Sequence, residues 1–185
     1  MVTEMLSNST IAISCTVANE VGTLRRFIEE VLDECKLFKK AVFVAVFDKA
    51  STDGSYQLAL DLAEENDCLI VTFVEGATGP TDSYLHGFQV CIDLNFDFIL
   101  DMNAGFRHLP SEMHKFFVNL DGYDCVFGSR FMPGGSLKTT TWLRRFYSEG
   151  GTTLANAVFG TKLTDMTSGF QLFSKDALVR VLECR

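Results

Sequence analysis

Long apolar runs are missing from this 185-residue sequence. None approaches the ~20 residues that cross a bilayer, so no transmembrane segment is expected. The stretch Met1 to Thr10 is polar and lacks the apolar region of a secretory signal. Positive charge is scarce as well: 16 Lys and Arg stand against 24 Asp and Glu, a formal net charge of −8. A nucleic-acid binder carries a basic face, so that class is disfavoured, and such acidity gives no general attraction to anionic lipid. Histidine is limited to His86, His108 and His114, which are scattered and form no metal cluster. The six cysteines (Cys15, Cys35, Cys68, Cys91, Cys125 and Cys184) show neither a CxxC pair nor metal spacing. Most sit in apolar runs, where a free thiol packs as a small hydrophobe. A reducing, cytoplasmic setting is the simple expectation. No G-x-S-x-G elbow, G-x-G-x-x-G turn or P-loop occurs, which removes the signatures of hydrolase, dinucleotide and NTPase chemistry.

What is there is a globular core. Apolar residues make up 47% of the chain, and the length fits one domain, 1–185. Short β-rich apolar runs at Ile11–Thr16, Ala41–Phe47, Cys68–Phe73, Phe96–Leu100 and Asp124–Gly128 read as five strands. Their near-continuous Val, Ile and Phe content fits strands covered on both faces. Helices fill the gaps. Leu24, Phe27, Ile28, Val31 and Leu32 follow the spacing of one buried helical face, as do Tyr56, Ala59, Leu60 and Ala63. Further helices are expected over Thr81–Asp93, Ser111–Leu120 and Leu143–Val158, with a last apolar helix after Gln171. This alternation predicts an α/β fold: an open, mostly parallel sheet with helices on both faces.

Sheets of this kind bind ligands beyond the carboxyl ends of their strands. The loop after the first strand holds Asn19 and Glu20, suited to a base or ribose and equally to capping the next helix. The second reads Asp48-Lys49-Ala50-Ser51-Thr52-Asp53-Gly54-Ser55. Asp48 is placed to hydrogen-bond a nucleobase or ribose, and Asp53 or Ser55 also fits a turn and cap. The fourth reads Asp101-Met102-Asn103-Ala104-Gly105-Phe106-Arg107-His108. After the fifth, Arg130 stands before Phe131, Pro133, Gly134 and Gly135. An Arg there can fork onto a phosphate, and the glycines permit close backbone approach. Trp142-Leu143-Arg144-Arg145 with Ser148 suits an anionic, lipid-linked partner at a membrane surface or an ordinary amphipathic helix. Thr164 to Gln171 is a compact polar turn, read as a closure over the site or a cap.

In order, these motifs resemble the family 2 glycosyltransferases of GT-A fold, in particular the polyprenol-phosphate sugar synthases, from about Ile11 to Leu178. The resemblance implies a nucleotide-sugar donor and a lipid-phosphate acceptor, with cytoplasmic or peripheral membrane placement. It implies that Asp48 contacts the base, that Asn19, Glu20 and Asp53 flank it, and that Arg130, Arg144 and Ser148 hold donor or acceptor phosphate. It also implies Mg²⁺ or Mn²⁺ on an Asp-x-Asp after the fourth strand. On this reading Asn103 and Gly105 replace both carboxylates, so no metal ligand is assigned, and Asn103 is kept as a donor-site contact. Lys49, Arg107, Arg130 and Arg144 are the cations available to neutralise a diphosphate instead. Asp101 shares a strand face with Asn103. The sequence also departs from the family pattern at Thr16, Ala18, Lys49 and Gln171, and stops short of the family's usual C-terminal segment. Two activities are compatible with this: sugar transfer without metal, or a glycosyltransferase-like nucleotide-binding or regulatory protein with impaired turnover.

Overall fold

The structure, a computed structural model, describes residues 2–132, 135 and 142–184. Six strands form one sheet: β1 (Thr10–Thr16), β2 (Lys40–Phe47), β3 (Leu69–Phe73), β4 (Phe98–Asn103), β5 (Cys125–Phe127) and β6 (Gln171–Ser174). Their order is β3-β2-β1-β4-β6-β5. The first four in that order run parallel, with Ile13 opposite Phe43 on one side and Leu100 on the other. β6 runs antiparallel to both β4 and β5. The helices are α1 (Val2–Asn8), α2 (Val21–Cys35), α3 (Ser55–Glu65), α4 (Pro80–Asp93), α5 (His114–Val118), α6 (Trp142–Phe159) and α7 (Lys175–Glu183).

The apolar runs become strands because both sheet faces are covered. Ile11 to Cys15 are buried without a break. Ile11, Ile13, Phe43, Ala45 and Phe47 pack with Leu24, Phe27, Ile28 and Val31 of α2. Ala12, Val42, Val44, Val46 and Ile99 pack with Cys91 of α4 and Leu178 of α7. Each large apolar side chain so buried contributes roughly 2 kcal/mol of transfer free energy. Cys15, Cys35 and Cys91 are buried, as their apolar surroundings predict, whereas Cys68 and Cys184 are exposed.

Four features differ from the sequence reading. β4 extends through Asn103, so Asp101 lies inside the strand, in register with Ser14 and Gln171, and the loop starts at Ala104. β6 is a short half-buried strand that fills the gap between β4 and β5. The fourth helix divides into a 3-10 turn at Pro110–Glu112 and the short α5. The polar N-terminus forms α1, whose Leu6 is buried. α6 leaves Trp142, Phe146, Tyr147, Leu154, Val158 and Phe159 largely exposed. Among the described residues no helix is long and apolar enough to cross a membrane.

Candidate functional site

The carboxyl ends of β1, β2 and β4 open into a cavity of about 260 Å³. β1 is the central strand of these three, so Asp48 after β2 and Asn103 at the end of β4 face each other across it. Thr16, Glu20, Ser83, Tyr84 and Arg107 also line the cavity. Asp48 is fixed rather than free. Its Oδ1 accepts from the Ala50 N–H at 2.8 Å, and its Oδ2 accepts from the Ser83 hydroxyl at 2.5 Å. The Tyr84 hydroxyl donates to Asn103 Oδ1 at 2.6 Å. Burial pushes the Tyr84 phenol above its ordinary pKa, against smaller opposing effects of Thr16 and Arg107. Tyr84 therefore stays an O–H donor, and the Asn103 carbonyl is already engaged.

Asn19 and Asp53 hold the two loops together. Asn19 sits at φ 57°, donates to the Ala50 carbonyl at 2.8 Å and accepts from the Thr52 N–H at 2.9 Å. Asp53 Oδ2 accepts from the Val21 N–H at 3.0 Å, and its Oδ1 accepts from the Ser55 N–H and hydroxyl at 3.0 and 2.6 Å. One carboxylate thus satisfies donors at the starts of α2 and α3. The Ser55 hydroxyl also accepts from the Glu20 N–H. Glu20 turns its carboxylate over Gly105, so close that a Cβ there would lie 2.4 Å from both oxygens. Gly105 has φ +74°, a conformation that favours glycine.

Arg130 joins a second cluster. Its Nε and Nη2 fork onto Asp165 at 2.7 and 2.9 Å, and Nη2 also reaches Thr167 Oγ1 at 2.5 Å and Ser148 Oγ at 3.4 Å. Burial alone would raise the Asp165 carboxyl; the Arg130 fork, its backbone N–H and Thr167 hold it below the usual range. Ser148 is therefore beside Arg130, and the guanidinium already binds a carboxylate. Arg144 belongs to α6 and its side chain lies outside the described residues, as do Pro133 and Gly134. Gly135 packs against its own loop: a Cβ would meet the Arg130 carbonyl oxygen at 2.5 Å.

His108 connects the two clusters. Its Nδ1 accepts from the Asn103 N–H at 3.0 Å, and its ring stacks on Phe170 at 4.6 Å. Burial, then Arg130 and Arg107, lower its pKa from 6.5 to about 4. At neutral pH it is the neutral tautomer that keeps its proton on Nε2.

Residues 13–182 match the family model for glycosyl transferase family 2. The chain belongs to this family. It is 28% identical over 142 residues to polyprenol monophosphomannose synthase of Mycolicibacterium smegmatis, covering 76% of this chain and 54% of the relative. It is 29% identical over 135 residues to undecaprenyl-phosphate mannosyltransferase of Micrococcus luteus, covering 73% and 56%. The chain thus spans about half the length of these curated relatives. Among solved structures, glucosyl-3-phosphoglycerate synthase from Mycobacterium tuberculosis, in complex with Mn²⁺, UDP-glucose and phosphoglyceric acid, superposes with a TM-score of 0.62 at 14% identity. That match covers 95% of this chain and 60% of the other. A crystal structure of a mycobacterial protein gives 0.67 at 12% identity, covering 95% and 56%. These likenesses establish the GT-A fold.

For a family 2 glycosyltransferase, the donor set at the end of β4 does not fit a divalent cation, which wants several carboxylate oxygens. The Asn103 carbonyl is taken by Tyr84, and Gly105 has no side chain. Asp101 is 3% exposed, and burial raises its pKa well above the carboxylate range, outweighing the Met102 backbone hydrogen bond. Of the carboxylates in the described lining, Glu20 lies over Gly105 and Asp48 is held by Ala50 and Ser83. Among the described residues no group of three His, Cys, Asp or Glu is arranged to hold a metal.

Ser83, Tyr84 and Asp165 carry much of this geometry and were not singled out from sequence. Ser83 and Tyr84 sit in the first turns of α4, after a strand end, which is the signal that marks them. Of the candidate cations, Arg107 lines the cavity, whereas Lys49 is exposed and not part of the lining and Arg130 is paired.

Proposed function

We propose that this chain acts as one glycosyltransferase domain, moving a sugar from a nucleotide-diphosphate sugar to a lipid phosphate or another acceptor without a divalent metal. The observation that carries the reading is the cavity beyond β1, β2 and β4, where Asp48, Glu20 and Asn103 converge. In the transfer, the acceptor oxygen forms a bond to the anomeric carbon, and the bond from that carbon to the β-phosphate oxygen breaks. The electron pair leaves on the nucleoside diphosphate. A phosphate acceptor is already ionised, so no strong general base is needed. Asp48 takes the base or ribose. Arg130 and Ser148 take acceptor phosphate through Arg130 Nη1, which meets no acceptor among the described residues. The mannosyl-lipid names of the relatives support a lipid-phosphate acceptor. The exposed apolar side chains of α6 beside Arg145 support its delivery at the cytoplasmic surface of a membrane.

A second reading, a nucleotide-binding protein with impaired turnover, is favoured by one observation: the absence of paired carboxylates around Asn103. The test is calorimetric titration of UDP-, GDP- and CMP-sugars with Mn²⁺ and with EDTA, followed by product analysis with polyprenyl phosphate. Binding indifferent to Mn²⁺ is expected. Asp48→Ala should lower affinity by about 1–3 kcal/mol. Binding that requires Mn²⁺ would refute the metal-free reading, and binding without product would select the second.

A further inference from the structure

Resting on the nucleotide-sugar reading, we propose that Arg107 is the group that grips the donor diphosphate in place of a metal ion. A diphosphate at the mouth of this cavity needs positive charge, most of all as the sugar departs and the leaving oxygen takes up the bonding pair. The cavity walls supply little of it. Asp48 and Glu20 are acidic, and Asn103 and Tyr84 are neutral and bonded to each other. Among the described residues Arg107 is the one Lys or Arg in the cavity lining. No carboxylate pairs with it among the described residues, unlike Arg130, whose fork is closed by Asp165. Its charge lies close enough to influence both Tyr84 and His108, which brackets it on the Asn103 side of the opening.

Glu20 sharpens the placement. Its carboxylate accepts from Thr23 Oγ1 at 3.2 Å and occupies the space above Gly105. Like-charge repulsion therefore turns a diphosphate away from the Gly105 side and toward Arg107. His108 stays neutral there, because burial first, and then the guanidinium groups of Arg130 and Arg107, keep a second proton off its ring. A guanidinium offers two parallel N–H donors to neighbouring phosphate oxygens and performs the electrostatic task of a cation without a metal's geometry. The exposed side chain is free to close on the ligand.

The test separates diphosphate from nucleoside. Guanosine and GDP, and uridine and UDP, are titrated calorimetrically in EDTA into the intact chain, Arg107→Ala and Arg107→Lys. The diphosphate of the preferred base should bind the unmodified protein roughly tenfold or more tightly than its nucleoside, as charge-assisted bonds of this kind require. Arg107→Ala should abolish that increment and leave nucleoside affinity unchanged. Arg107→Lys should keep part of it, and added salt should weaken it. Circular dichroism checks that the exposed substitutions leave the fold intact. A full increment in Arg107→Ala, or one that arises only with Mn²⁺, overturns the assignment while the nucleotide site stands. No binding of any nucleoside or diphosphate overturns both.

Discussion

Replacing His108 by Gln removes a histidine whose ionisation the fold strongly opposes. In the folded chain its pKa falls from 6.5 to about 4, because the ring is buried against Phe170 and faces the charges of Arg130 and Arg107. Protonating Nδ1 would also break the acceptor contact to the Asn103 N–H. The sign follows from linkage. The unfolded imidazole takes up its proton near 6.5 while the folded one does not, so the contribution is complete above 6.5 and is lost as pH falls toward 4. Near pH 4.5 the loss amounts to about 2.5 kcal/mol. The lowered pKa of Asp165 adds a loss at still lower pH, whereas the raised Asp101 pKa acts in the opposite direction, and both are common to wild type and variant. The assay is urea unfolding of the two proteins in steps between about pH 7.5 and pH 4.5. His108→Gln loses the ring stack and starts less stable, but its stability should fall less steeply with acid. Parallel pH profiles for the two proteins would refute the buried neutral histidine.

Two further outcomes follow from single contacts. Gly105→Ala should destabilise by about 1–2 kcal/mol, since φ +74° penalises a Cβ. Adding Glu20→Ala should recover only the steric part, and a neutral Gly105→Ala in denaturant melts would contradict the loop geometry. Gly105→Asp adds repulsion from Glu20, so a carboxylate at this position should destabilise the loop further. Asp165→Ala leaves Arg130 without its fork and should cost about 2–4 kcal/mol, less than a fully buried pair because Arg130 is 31% exposed. Loss of less than ~0.5 kcal/mol on urea unfolding would show that the cluster does not hold the loops together.

The sequence by itself determined the four parallel strands and the loops that follow them. Phe43–Phe47 is apolar at every position and Ile11–Cys15 at all but Ser14, a pattern that fits a strand covered on both faces. It also marked Asp48, Asn103 and Arg130 as residues beyond strand ends. Tertiary structure decided what each of these does. β6 has four residues and a weak pattern, and it becomes a strand because β4 and β5 leave unpaired edges on either side of it. Arg130 is paired by Asp165, 35 residues away, and Asn103 is held by Tyr84, 19 residues away. Glu20 comes to rest over Gly105 across the ends of two strands. Local spacing encodes periodicity and turn chemistry. The partner of a polar side chain depends on which distant segments the sheet order brings together, and that order is fixed only when the hydrophobic faces close.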